Sequence, residues 1–452
     1  MSLHAVDGRP MLESKFFKIM KYLEHFHQSC SDEGNAEPSG LFGFWLRFGS
    51  VTGFCKPAPS PKLRQNPKIL AAHRYIFSVN ALALLTLTAL TFTGCANEGL
   101  SSQTPTSPEL SGPVILDSMK KVADWQLTND SPSLAHYQLN SWTYGAFYAG
   151  VMALDSVADT PKYHEAMLAI GKKLDWQPGK RPYHADDQAV GQMYLEMYLK
   201  DHDPAMLGPI KAKLDNILAH PSSDSLEFGK GKQDRYWWCD SLFMGPPTWA
   251  LLYKATGEKK YLDFMDKEWW AASDYLYDPE EHLYFRDSRY FKQREANGKK
   301  IFWSRGNGWV MGGLVRVLEI MPKNYPSRAR YETQLKEMAA KIASLQQPDG
   351  LWHASLLDPE SYPLKETSGS GFYVFALAWG INHGLLDRAT YQPVVDKGWI
   401  ALQGCVTPEG KLGYVQQVGA DPKSFKPEDF EVYGAGAFLL AGKEMYVMAH
   451  RR

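Results

Sequence analysis

An all-α fold, an (α/α)6 barrel closed as a six-hairpin toroid, is predicted by three observations. Apolar residues recur at helical spacing in segments such as 189–199, AVGQMYLEMYL, and 311–321, MGGLVRVLEIM, while the alternation of a half-buried strand is rare. The stretches 348–381 and 408–445 share one order of parts: Pro-acid-Gly, a loop, then closely spaced glycines and a Phe that open an apolar helix. Openings of this kind, a small or acidic residue followed by an apolar helix, stand at Trp142, Asp187, Asp240, Gly306, Ser368 and Gly434. They lie 45 to 66 residues apart, room for one helix out, one helix back and two connections. Between them, 162–173, 259–272 and 328–345 are more charged and amphipathic, as outer helices should be. An open solenoid is the alternative arrangement. Glycines at the inner starts favour closure, because they let inner helices crowd together and let backbone approach a ligand.

The chain of 452 residues, 44% hydrophobic and 22% charged, has the composition of a globular protein able to bury a large core. A formal net charge of -1 leaves no basic footprint for nucleic acid. Aromatic residues make up 13%, including 14 Trp, which suits either sugar-stacking faces or a large helical core. Five scattered cysteines, at 30, 55, 95, 239 and 405, predict neither a disulfide framework nor a zinc site, and no cluster with metal-ligand spacing points to a metal or to an organic cofactor. Residues 81–95, ALALLTLTALTFTGC, form an apolar run of signal-peptide length, preceded by Lys62, Arg64, Lys68 and Arg74. Residues 68–95 are therefore expected to be an export signal ending in a lipobox-like FTGC. Cys95 would be the lipidated residue, with Phe92 standing where Leu is usual and ordinary signal cleavage as the alternative. Residues 1–67 read as an upstream extension outside the fold, 96–112 as a Ser/Thr/Pro-rich tether, and 113–452 as the barrel domain. The expected location is the periplasm or the outer membrane of a bacterium, with the membrane reached only through a lipid at Cys95; the oligomeric state is not legible.

Asp240 sits in RYWWCDSLFM, residues 235–244, an apolar and aromatic run in which a bare carboxylate is costly. Two readings follow. As the first residue of a helix it is an ordinary N-cap; as one of six inner-helix openings it lines a shared funnel mouth, where helix N-termini favour an anionic ligand. Asp186 and Asp187, in YHADDQAVG, admit the same two readings. Carboxylates at neighbouring mouths are what acid/base chemistry on sugars requires.

The motifs HADDQAVGQMYLEMY, YWWCDSLFMGPPTWALLYKATG, FWSRGNGWVMGGLVRVLE, DGLWHASLLDP and ETSGSGFYVFALAWG resemble, in order and spacing over roughly 113–447, glycoside hydrolase family 105, the unsaturated rhamnogalacturonyl hydrolases, and the related uronyl hydrolases of family 88. The resemblance implies an (α/α)6 barrel that removes a 4,5-unsaturated uronic acid from the non-reducing end of lyase-generated oligosaccharides, by protonating C4 while water adds at C5. It implies that Asp240 is the general acid/base and that Asp186 or Asp187 is the second carboxylate. It further suggests substrate-binding roles for Arg305, as a fork on the uronate carboxylate, and for Trp309, stacked on the ring; Trp238 and Met244 would wall the pocket. Trp142, His184 and His353 complete the expected site, and each also has an ordinary core or structural reading. Many relatives carry a His in the loop after the third hairpin, where this chain has Arg286 and Asp287, so the uronate and its linkage are left open. Two other classes remain at this stage: a different toroid enzyme, either an inverting glycosidase or a polysaccharide lyase, and a non-catalytic glycan-binding surface protein.

Overall fold

Residues 107–451 are described by the computed structural model of the chain. The expected extension, the export signal, Cys95 and residues 96–106 of the tether lie outside the described residues. Six inner helical segments run from the predicted openings: α2 (Trp142–Asp155), α4 (Gly191–Asp201), the broken pair α6 (Ser241–Met244) and α7 (Pro246–Thr256), α9 (Ser304–Leu318), α11 (Thr367–Asn382) and α13 (Val432–Ala449). Six outer helices alternate with them: α1 (Gly112–Thr128), α3 (Lys162–Lys173), α5 (Pro204–Ala219), α8 (Lys259–Leu276), α10 (Arg328–Ser344) and α12 (Arg388–Gln403). The two sets differ as their sequences dictate. α11 is buried from Thr367 to Ile381 and α9 over its whole length, whereas α8 and α10 bury one stripe and turn Lys, Asp and Glu outward.

Each inner segment packs on the next, α2 on α4, α4 on α7, α6 and α7 on α9, α9 on α11 and α11 on α13, and α13 returns to pack on α2. The ring is closed and the open solenoid is excluded. Glycine makes the tightest crossings possible. A Cβ on Gly436 would lie 2.4 Å from the Ala146 carbonyl oxygen, and one on Gly313 would lie 2.3 Å from that of Leu242, so α13 meets α2, and α9 meets α6, nearly backbone to backbone. Between the two mouths the ring is filled by Trp309, Phe243 and Phe372, whose ring centroids lie 4.5–5.2 Å apart.

The break between α6 and α7 falls at Gly245-Pro246-Pro247, where Pro starts a helix readily but cannot continue one. Two short hairpins decorate the N-terminal mouth: β1 (Tyr277–Asp278) pairs with β2 (Leu283–Tyr284), and β3 (Trp352–His353) with β4 (Lys365–Glu366), both antiparallel. At the start of the described body a 3-10 turn, Pro108–Leu110, buries Leu110, and His450 lies against Gly112, so the packed body reaches a few residues upstream of the expected Pro113.

Candidate active site

Asp240 precedes α6 with helical dihedrals, and its side chain makes no capping hydrogen bond. Asp240 is 7% exposed. Its Oδ2 accepts from the Cys239 thiol at 3.5 Å and faces Nε of Arg286, also at 3.5 Å. Burial pushes its proton affinity up, and the guanidinium of Arg286, with Arg305 beyond it, pulls the other way. Glu366 shows what capping looks like in this ring: its carboxylate takes the backbone N–H of Ser368 and Gly369 at 3.1 and 2.7 Å.

The two neighbouring acids of YHADDQAVG, on a 3-10 turn spanning Ala185–Gln188, have different surroundings. Asp187 is clamped: Arg181 donates Nε and Nη2 to Oδ1 at 3.1 and 2.6 Å, and its backbone N–H donates to Oδ2 at 2.5 Å. Asp186 has only looser neighbours, Nη2 of Arg181 at 3.7 Å and Nδ1 of His184 at 3.5 Å. Burial pushes its carboxyl up to about 7; Arg181 opposes this, and the charges of Asp240 and Asp187 reinforce it. The charge of Asp240 thus reaches Asp186 across the mouth and favours its protonated form. His184 is pushed down to about 4, by burial and then by Arg181, so its imidazole is neutral near pH 7; Nδ1 accepts from the Asp186 N–H at 3.3 Å.

Arg286 is delivered by the β1–β2 hairpin. Asn307, on α9, mimics a strand: its Oδ1 accepts from the Tyr284 N–H at 2.7 Å and its Nδ2 donates to the Tyr284 carbonyl at 3.0 Å. The Arg286 carbonyl then accepts from the Cys239 N–H at 2.9 Å, which fixes it beside Asp240. Its Nη1 donates to Asp287 at 2.7 Å.

The other expected residues take distinct places. Arg305 is 1% exposed; Nη1 donates to the Gln416 carbonyl at 2.8 Å and Nη2 to that of Gln417 at 2.9 Å, while its guanidinium carbon lies over the Trp303 ring at 4.3 Å. Its fork is turned to a loop of the chain. Trp309 is fully enclosed in the aromatic fill, whereas Trp142 is half-buried at the mouth, stacked on Tyr433 at 5.4 Å and 23°. Trp238 is buried with its ring 4.8 Å from His184, and Met244 is buried at the end of α6. His353 has both ring nitrogens engaged by its own surroundings, Nδ1 by the Pro359 carbonyl and Nε2 by Asp349.

A cavity of about 1140 Å³ opens at the opposite mouth, among the C-terminal ends of the inner helices, lined by Asp155, Lys200, Arg316 and Trp379 among others. It holds none of the residues just described.

Comparison with known proteins decides the family. The profile of Glycosyl Hydrolase Family 88 matches residues 118–449. The chain belongs to that family. It is 42% identical over 338 residues to an unsaturated 3S-rhamnoglycuronyl hydrolase of Formosa agariphila, a match covering 72% of this chain and 89% of the relative. Among solved structures it is similar to a family 88 glycosyl hydrolase from Bacteroides vulgatus, with TM-score 0.66, 28% identity and coverage of 74% of this chain and 99% of that one. A structure named as a polysaccharide lyase aligns with TM-score 0.67 and 29% identity, over 75% of this chain and 99% of that one. The family 88 chain is thus a glycoside hydrolase with the toroid that its sequence predicts.

Four residues around this family 88 site were not among the candidates read from the sequence: Arg181, Cys239, Gln416 and Tyr433. Arg181 lies in a Gly/Pro loop without periodicity, and Gln416 acts through its carbonyl, which any residue possesses. Cys239 was visible only as the neighbour of Asp240. Tyr433 is the one that had a legible cue, standing one residue before the sixth opening at Gly434.

Proposed function

We propose that the enzyme removes a 4,5-unsaturated uronic acid from the non-reducing end of a lyase-generated, rhamnose-containing oligosaccharide by hydrating the C4=C5 double bond. The observation that carries the reading is the pair Asp186 and Asp240: two carboxyls raised by burial, neither spent as a cap nor clamped in a fork. Hydration of a double bond needs one donor and one acceptor, and two raised carboxyls at one mouth can supply both. In the reacting form the proton is on Asp240. It passes to C4, and the charge left on Asp240 lies beside Arg286. Asp186 takes the proton of the water adding at C5. The resulting hemiketal opens and releases the second sugar with its glycosidic oxygen. Arg286 is the group placed to hold the uronate carboxylate, since Nη1 alone is committed to Asp287. Trp142 offers a ring at the mouth, and Arg305, through Gln416 and Gln417, positions the loop facing it. The name of the Formosa agariphila relative supports rhamnose as the next sugar.

The likeness to a structure named as a lyase favours a second reading, in which the site makes the double bond instead of consuming it. Ultraviolet absorbance separates the two. On unsaturated oligosaccharides the proposed hydrolase abolishes the chromophore of the conjugated acid; a lyase acting on intact polymer generates it, and that outcome would replace the proposal. The apolar run 81–95 with its FTGC end supports export and lipidation at Cys95. Palmitate labelling in the native host that persists after Cys95→Ser would show that this reading is mistaken.

A further inference from the structure

The cavity of about 1140 Å³ at the C-terminal mouth lies on the far side of the barrel from Asp186 and Asp240, and the packed rings of Trp309, Phe243 and Phe372 close the lumen between the two. Nine charged side chains line it, and six of them are spent on one another: Lys200 on Asp155, Arg316 on Glu196 at 2.8 Å, and Arg328 on Glu332 at 2.8 Å. Of the other three, Glu319 faces Lys443 at 3.9 Å, and Lys254 and Lys323 are exposed at the rim. The inner wall is therefore close to neutral.

Three residues of that wall each bury a polar atom that finds no partner in the chain: Nε of Arg316, Nε1 of Trp379 and Oε2 of Glu196. They come from three inner helices, α9, α11 and α4, and Arg316 and Trp379 are 5% and 1% exposed. A buried donor or acceptor left alone costs about 1–3 kcal/mol, so three around one cavity call for a common reason. The indole is held in place: the exposed His383 ring stacks on it at 4.3 Å and 25°, and Nδ1 of that ring meets the Trp379 carbonyl at 2.9 Å. Glu319 adds a carboxylate whose contact with Lys443 is too long for a hydrogen bond. Leu199, Leu251 and Leu385 make other parts of the wall apolar. Donors and acceptors side by side, with their charges cancelled and apolar surface between them, match a ligand that is uncharged and rich in hydroxyls, because each hydroxyl both donates and accepts.

We propose that this cavity is a second, non-catalytic carbohydrate site, which takes an uncharged sugar unit whose hydroxyls accept from Arg316 and Trp379 and donate to Glu196 and Glu319. Since the aromatic fill closes the lumen, the sugar enters from the C-terminal mouth and belongs to a different molecule, or a distant part of the same glycan, from the one at Asp240. The site thus holds the enzyme on a glycan without taking part in the chemistry, and it does not depend on the roles given to Asp186 and Asp240.

The test titrates the full chain with L-rhamnose, D-galactose and D-glucose, followed by ligand-detected NMR. At least one of the three is expected to bind, and Trp379→Phe, which keeps the ring and removes the donor, to weaken that Kd about tenfold while turnover of unsaturated substrate stays as in the wild type. Binding should survive in Trp142→Ala, which alters the catalytic mouth; its loss there would place the sugar at that mouth and overturn the proposal. Failure of all three sugars to bind overturns it as well. Glu319→Gln guards against a folding defect in Trp379→Phe, because the side chain is a third exposed and has no hydrogen bond to lose. It should weaken the same Kd several-fold, and a Kd unaltered in both variants counts against the site. Inorganic sulfate at matched ionic strength should not displace the sugar; displacement would make the cavity an anion site and overturn the proposal. In the wild type the bound sugar should also slow hydrogen exchange of the backbone at Leu318–Met321, on the cavity wall, and unchanged exchange there contradicts the placement.

Discussion

Burial without a tight partner separates Asp186 and Asp240 from Asp187, which spends both oxygens on Arg181. A pair that shares one proton works only between its two titrations, so kcat/KM should be bell-shaped. It should fall at acid pH, where both carboxyls carry a proton, and at alkaline pH, where neither does, with both limbs above the ordinary carboxylate range because burial raises both groups. A profile flat through neutrality contradicts this. The same shift has a cost in stability. The folded state binds a proton on Asp186 more tightly than the unfolded chain, whose Asp titrates at about 3.9, so the contribution is complete below that value and is lost as pH rises through about 7. Asp186→Asn should therefore gain Tm relative to the wild type when pH is raised from 5 to about 8.5, and an unchanged difference across that window contradicts the assignment. Asp240 was legible in the sequence because an acid among Trp, Cys and Phe needs a reason. The choice between Asp186 and Asp187 was not legible. They are adjacent, and what divides them is Arg181, an exposed-looking residue in a loop.

At the scale of elements, outer helices were readable nearly to the residue. α3 is observed at Lys162–Lys173, as its charge pattern predicts, and α10 at Arg328–Ser344 against an expected 328–345. The inner helices were readable as openings, but not their fine entry: a 3-10 turn precedes α4, and the Gly-Pro-Pro step splits α6 from α7. Nor could the sequence alone show that Asn307 pairs with the backbone of β2, since that contact joins residues 23 apart through a side chain. Two predictions belong here. Gly313→Ala places a methyl 2.3 Å from the Leu242 carbonyl oxygen and must push α6, with Asp240 at its head, away from α9. The expected loss is about 1–3 kcal/mol of stability, with a fall in kcat as well, and a variant matching the wild type in both would show that the crossing is looser than described. Arg305→Lys keeps the charge but cannot reach both Gln416 and Gln417 carbonyls, so it should lower Tm more than it changes KM. A raised KM at unchanged Tm would return Arg305 to direct contact with the uronate.

At the scale of the whole molecule, closure of the ring gathers six helix openings, from Trp142 to Tyr433, at one mouth. Six repeats with crowding glycines made that closure legible, while the boundary of the body was less so. Leu110, within the stretch read as tether, is buried against the barrel, and a polar Ser/Thr/Pro context hides a single anchoring residue. A chain beginning at Ser107 should fold and act as the full chain does, whereas one beginning at Pro113 should lose stability of the order of 1.5–3 kcal/mol, the worth of one buried Leu. Equal Tm for the two would place Leu110 outside the cooperative unit. Transfer of the proton from Asp240 to C4 is tested most directly by turnover of Asp240→Asn, followed as loss of the substrate's ultraviolet absorbance. The side chain makes no capping bond and its ionised form is disfavoured by burial, so the Asn variant should have a Tm no lower than the wild type and lose kcat by roughly 10²–10⁴ or more. Near wild-type turnover by that variant would contradict the account.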